Sequence, residues 1–165
     1  MHISVAVNHM QRGEYAQARD RCVASLALAE AVDDVLVQAR ALNGVGYCLA
    51  RLGEYARALD YCERSVALYR KAGDEREETD VLDSLGLIHH KLGDHASAAA
   101  SYRQAIEILR RYGDRFNEAI TLDHLGDNLD AAGDRAGAKR VWTEAVSILT
   151  DLGREEAQAV RAKLD

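Results

Sequence analysis

The sequence predicts an all-α fold: a helical solenoid of about four antiparallel helix pairs, closed by a C-terminal capping helix. Three observations carry this. The 165 residues contain no proline, the residue that breaks helix interiors. Ten of the 12 glycines stand on three columns with one spacing of 40 residues: Gly13, Gly53, Gly93 and Gly133; Gly46, Gly86 and Gly126; Gly73, Gly113 and Gly153. Between them, apolar residues recur every third or fourth position, the spacing of a helix buried on one face. A fixed period of a few tens of residues is the signature of a repeat array.

The elements follow in order as helices over 2–11, 14–31, 34–51, 54–72, 74–91, 94–112, 114–131, 134–151 and 155–164. The first begins late relative to its equivalents at 34, 74 and 114. That implies a chain continuing on its N-terminal side beyond Met1, and it leaves Ile3, Val5 and Val7 without a preceding repeat. From Glu54 to Ala72, the buried stripe is Tyr55, Leu59, Cys62, Val66 and Tyr69; from Asp74 to Leu92 it is Val81, Leu82, Leu85 and His89. The glycines of the columns that begin at Gly13 and Gly73 follow helix ends and suit a left-handed turn. An acid follows, as in Gly53-Glu54, Gly73-Asp74, Gly93-Asp94, Gly113-Asp114 and Gly133-Asp134, and the positive helix N-terminus favours it. Small and large columns share the step: Ala18, Ala58, Ala98 and Ala138; Ala16, Ala56, Ala96 and Ala136; Leu28, Leu68, Ile108 and Ile148; Cys22, Cys62, Tyr102 and Trp142; Leu42, Leu82 and Leu122. The last helix sets Glu155, Glu156, Gln158, Arg161 and Lys163 around a thin line of Ala157, Val160 and Leu164, the pattern of a solubilising cap. The whole reads as one domain over 1–165: a truncated repeat 1–33, repeats 34–73, 74–113 and 114–153, and a cap 154–165.

Composition excludes several classes. With 21 basic and 27 acidic side chains the formal net charge is -6, which argues against a nucleic-acid binder and against an anionic membrane surface. No apolar run approaches the roughly 20 residues of a membrane span, and the N-terminus is too polar for a signal peptide. Cys22, Cys48 and Cys62 are an odd number with no CxxC, so the expected setting is a reducing cytoplasm. No cofactor is expected, and no catalytic set of acid, base and nucleophile converges, so the chain reads as a non-enzyme. His89, His90 and His95 lie close together, but adjacent helical residues diverge and no HxxxH or HExxH spacing occurs, so no metal site is expected.

Function is expected on the first helix of each pair, on the side away from its partner. That face carries Arg40, Asn43, Gly44, Tyr47 and Ala50, then Asp80, Asp83, Ser84, Leu87 and His90, then Ile120, Asp123, His124, Asp127 and Asp130. Its C-terminal half is acidic through Asp80, Asp83, Asp123, Asp127 and Asp130, with Tyr47 and Leu87 as an apolar floor. Such a surface favours basic or amphipathic helical ligands. His90 with His124 would make binding pH-sensitive.

The columns resemble tetratricopeptide repeats, whose hallmark is a large apolar residue, then Leu-Gly, an aromatic, Ala, a bulky residue and Ala. Here the units read Leu42, Val45-Gly46, Tyr55, Ala58, Cys62, Ser65; then Leu82, Leu85-Gly86, His95, Ala98, Tyr102, Ala105; then Leu122, Leu125-Gly126, Arg135, Ala138, Trp142, Ala145. The 40-residue form, with glycine in place of the closing proline, is similar to the arrays of kinesin light chains, Pins-type scaffolds and large actinobacterial regulators. Residues 82–153 and the ending EEAQAVRAKL look most like the C-terminal array of AfsR-like Streptomyces antibiotic regulatory proteins (the SARP family). That resemblance implies a regulator with a winged-helix DNA-binding domain and a signalling ATPase, neither of which is in this sequence; no GxxxxGK[ST] loop occurs. It implies that the first-helix face lines a concave groove holding a protein or peptide partner, or the regulator's own ATPase core. Chaperone-binding members of the superfamily grip a carboxylate with lysines; here those sites offer Asn43, Tyr47, Asp80 and Ser84, with no lysine pair. The alternative is a free-standing scaffold, or a homodimer through the truncated N-terminal end.

Overall fold

The computed structural model describes residues 2–165, with side chains from Ser4 onward, so Met1 and the side chain of Ile3 lie outside the described residues. Among the described residues the fold is all-α: α1 His2–Gln11, α2 Tyr15–Ala31, α3 Val35–Arg51, α4 Tyr55–Ala72, α5 Glu75–Lys91, α6 His95–Tyr112, α7 Arg115–Ala131, α8 Arg135–Asp151 and α9 Glu156–Arg161.

From α2 to α8 the helices begin one residue later than the periodicity predicts. The acid read as the first helical residue stands outside the helix as its cap. Asp34, Asp94, Asp114 and Asp134 each accept a hydrogen bond from the backbone N–H three residues on, at 3.1, 3.1, 3.2 and 2.8 Å. This satisfies a donor that the helix leaves orphaned. The glutamates at the same column do not cap. Glu14 instead meets His9 Nδ1 at 2.5 Å, and Glu54 pairs with Arg57. At the other end, Gly73 and Gly113 close α4 and α6 in the left-handed region, with φ of 72° and 69°. The same column holds Asp33 in the first repeat, also left-handed at φ 55°.

The chain divides into two compact units, Met1–Ile88 and His89–Asp165, and α5 runs through the division. In the first unit, Cys22, Val45, Leu49, Cys62, Val66, Tyr69, Val81 and Ile88 form the core. In the second, Tyr102, Leu122, Leu125, Trp142, Leu149 and Val160 do so. Trp142 and Tyr102 are therefore core residues, each 2% exposed. Gly126 makes room for the larger of them, since a Cβ there would overlap the Trp142 indole. The indole Nε1 then donates to the Asp123 carbonyl at 3.3 Å, so its one polar atom is not left unpaired.

An ion pair recurs where each second helix hands over to the next first helix. Arg70 Nη2 meets Glu78 Oε1 at 2.8 Å in the first unit, and Arg110 Nε meets Glu118 Oε1 at 2.7 Å in the second. Both glutamates are buried while both arginines reach solvent. In the first repeat Gln38 takes the glutamate's place and donates to the Ala29 carbonyl at 3.2 Å.

The closing helix is shorter than 155–164. It stops at Arg161, and Lys163 and Leu164 continue in tight turns that donate to Val160 O and Arg161 O. The side chain and carbonyl of Lys163 are drawn onto α7 and α8 instead.

Candidate functional site

In the first unit, α3 and α5 position the predicted face. Arg40 is exposed and donates to Glu77 Oε2 at 2.9 Å, so its charge is already balanced. Asn43 Oδ1 accepts from the Cys62 thiol at 3.8 Å. Tyr47 stands edge-on to Tyr15, with ring centroids 6.3 Å apart, and Arg51 lies 5.0 Å over the Tyr15 ring. Burial raises the pKa of the Tyr47 phenol. Asp80 is exposed, and Asp83 and Leu87 are half-buried.

Ser84 does not belong to this face. It is buried, and its hydroxyl donates to the Asp80 carbonyl at 3.0 Å. Its column explains why. A Cβ on Gly44 would run into the Cys22 thiol on α2, and the His124 ring tilts against Tyr102 on α6 with centroids 6.0 Å apart. Positions 44 and 124 thus face the second helix of the preceding pair. A first helix inside an array has two packed sides, which leaves a narrower free face than a single helix pair would.

In the second unit, Asp123, Asp127 and Asp130 lie along α7, each met by a cation that the sequence reading did not assign. Lys163 Nζ donates to Asp123 Oδ1 and Oδ2 at 2.7 and 2.9 Å and to Asp127 Oδ1 at 2.7 Å. Arg135 Nη1 meets Asp130 Oδ1 at 3.2 Å, and its Nη2 donates to the Lys163 carbonyl at 2.9 Å. Both cations lie over the Trp142 ring, at 5.1 and 5.9 Å. Burial works against the Lys163 ammonium, but its hydrogen bonds to Asp123 and Asp127 outweigh that and raise its pKa. The expected acidic half is thus largely neutralised from within the chain. One signal was available: Lys163 stands forty residues after Asp123, in the same column with the opposite charge.

His90 points to a different partner from the one expected. Its Nδ1 lies 3.1 Å from Asn128 Oδ1, and His95 Nδ1 lies 2.9 Å from the same oxygen. Asn128 Nδ2 donates to the His95 carbonyl at 2.9 Å, which fixes which amide atom faces the rings. Both imidazoles therefore carry a proton on Nδ1. Asn128 is fully buried, in a column that elsewhere holds Cys48 and Ile88. His89 lies 3.8 Å from Asp94. Among the described residues no group of three His, Cys, Asp or Glu side chains is placed to hold a metal ion.

The three cysteines are buried and free. Burial pushes the Cys62 thiol up to about 12, and a mutual hydrogen bond lowers the pKa of Cys22 and raises that of Cys48. An open pocket of about 530 Å³ lies over Ile106, Leu122, Leu125 and Val141, rimmed by Arg103, Arg110 and Glu144. None of the candidate face residues lines it. No described helix is long and apolar enough to cross a membrane.

A family model described as tetratricopeptide repeat matches residues 1–71, 37–111 and 77–151. No curated protein matches the sequence. Among solved structures, the chain is similar to a Rap protein complexed with Competence and Sporulation Factor, at 16% identity and TM-score 0.88, over 99% of this chain and 46% of that one. It is similar to BtubC (BKLC) from P. vanneervenii, at 19% identity and TM-score 0.78, over 92% of this chain and 63% of that one. A kinesin light chain with nearly identical TPR-like repeats from Podosopora anserina matches at 15% identity and TM-score 0.78, over 99% of this chain and 82% of that one. The chain thus spans about half the length of the Rap protein and under two thirds of BtubC. At these identities the likeness is one of fold alone.

Proposed function

The chain belongs to the tetratricopeptide repeat family, and from that premise we propose that it is a protein–protein interaction module. In this reading it is the sensor or regulatory arm of a cytoplasmic, multidomain transcriptional regulator of the AfsR-like type. It binds a protein or peptide, or the regulator's own ATPase core, on its first-helix faces. One face presents Arg40, Asn43, Tyr47, Asp80, Asp83 and Leu87; the other presents Asp123, Asp127 and Asp130, with His90 and His124 half-buried beside it.

The observation that carries the reading is the pair Asp123 and Asp127, which already closes on a lysine ammonium at 2.7 Å. A basic or amphipathic helix offers the same group. The similar Rap protein is one complexed with Competence and Sporulation Factor, which supports ligand binding by a chain of this fold. The test is charge reversal, Asp123→Lys with Asp127→Lys, titrated with a lysine-bearing amphipathic helical peptide. Weakened binding with the helical circular-dichroism signal retained supports the reading, and unchanged affinity contradicts it. An antibody against the chain should detect a native protein several times larger than 18.1 kDa; a band at that mass would remove the regulator context.

A second reading, a scaffold that pairs through its N-terminal end, is favoured by Val5 and Val7. They stand 38% and 46% exposed on α1, an apolar surface that self-association would bury. A monomeric mass by light scattering at high concentration contradicts it.

A further inference from the structure

We propose that residues 162–165 form a built-in competitor for the acidic face of α7: Lys163 holds the place that a partner's lysine would take, and partner binding releases it. This rests on the interaction reading above and adds its regulation.

Register is the first argument. Column 43 runs Asn43, Asp83, Asp123 and then Lys163, so the segment presents a cation where a further repeat would present its own face residue. Geometry is the second. The ammonium makes three contacts at 2.7–2.9 Å with Asp123 and Asp127 and lies 5.9 Å over the Trp142 ring, an arrangement suited to a lysine from outside the array.

The third is how the segment is fastened, by turns and one ion-paired side chain rather than by a full helix. α9 has already ended at Arg161. Beyond it, the main chain is held by the Ala162, Lys163 and Leu164 N–H groups in their turns and by Arg135 on the Lys163 carbonyl, and Leu164 packs at the edge of the second unit's core. Of the two ion pairs, the one with Asp127 is the more open to water, Asp127 being 45% exposed against 19% for Asp123, and so the weaker. A helix bringing a lysine together with apolar contacts can displace the segment; a single free cation has only the same pairs to offer.

The test titrates the full chain, Lys163→Met and Lys163→Arg with a synthetic amphipathic helical peptide bearing lysines on one face. Met keeps the alkyl stem beside Trp142 and removes the ammonium; Arg keeps the cation and controls for folding. Lys163→Met should bind on the order of tenfold tighter than the unaltered chain, because a tethered competitor acts at high effective concentration. Lys163→Arg should bind like the unaltered chain. Asp123→Asn added to Lys163→Met should remove the gain, and hydrogen exchange at residues 162–165 should accelerate when the peptide binds the unaltered chain. Equal affinity of the unaltered chain and Lys163→Met overturns the competitor and leaves the interaction face standing. So does binding with 162–165 still protected. Absence of binding by every form overturns the interaction reading itself, and the competitor with it.

Discussion

Arg110, half-exposed on α6, holds the almost fully buried carboxylate of Glu118 on α7 at 2.7 Å. It also reaches Glu144 on α8 at the same distance. The guanidinium keeps its solvent contact while the carboxylate gives up its own, so the two ends of the pair are not equivalent. Removing the arginine strands a buried charge, whereas replacing the glutamate with its amide removes the charge with little change of shape. Arg110→Ala should cost about 2–3 kcal/mol, at the low end for a buried pair because one partner is wet. Glu118→Gln should cost about 1 kcal/mol. Urea denaturation of both variants checks the order, and an equal or reversed order contradicts it.

The node of His90, His95 and Asn128 replaces apolar residues found at the same places one repeat earlier, Ala50, Tyr55 and Ile88. Asn128→Ile alone should cost about 2–3 kcal/mol, since it leaves the His95 carbonyl and two ring N–H groups without their partner. The triple change His90→Ala, His95→Tyr, Asn128→Ile exchanges the whole network and should recover most of that loss. Thermal denaturation of the single and triple variants separates the two outcomes. A triple variant no better than the single would mean that the node is not a self-contained network.

Backbone conformation gives a pair of opposite expectations. Asp33 holds a left-handed φ of 55° in a column of glycines, so Asp33→Gly should stabilise by about 0.5–1 kcal/mol. Gly126 is helical and faces the Trp142 indole, so Gly126→Ala should destabilise by about 2–3 kcal/mol through overpacking. Adding Trp142→Leu should return part of that loss. Melting temperatures that move the same way for both glycine exchanges would contradict this account.

Lys163 sets a pH limit. Its folded-state pKa is raised, so its contribution is fully present below the unfolded lysine value of about 10.4. That contribution is lost as pH rises through the folded value. The Lys163 contribution to fastening the C-terminal segment should therefore fade on the alkaline side, read as a change in Trp142 emission above about pH 10. Lys163→Met should flatten that limb. Loosening between pH 5 and 8 would point to histidine instead.

Helix number and phase were legible in the sequence because a glycine followed by an acid punctuates most of the turns. The one-residue offset in the helix starts came from cap chemistry: an aspartate reaches the N–H three residues on, and the glutamates at 14 and 54 turn to neighbouring side chains. The exposed face was legible at Arg40, Asp80 and Asp130, where helical phase alone decides. It was not legible at Ser84, because a helix inside an array is packed on two sides and single-helix phase assumes one. The partners of the acids on α7 were hidden for a different reason. Asn128 meets residues 33 and 38 positions away, and Lys163 reaches back 36 and 40, distances that periodicity within one helix does not address.

The central claim is that partners are bound on the first-helix faces. It is tested most directly by amide chemical-shift mapping of the labelled chain with a lysine-bearing amphipathic helical peptide. The account predicts shifts concentrated from Asp123 to Asp130 on α7, with further changes at Lys163. Shifts confined to the pocket over α6 and α8, at Arg103, Val141 and Glu144, would contradict it.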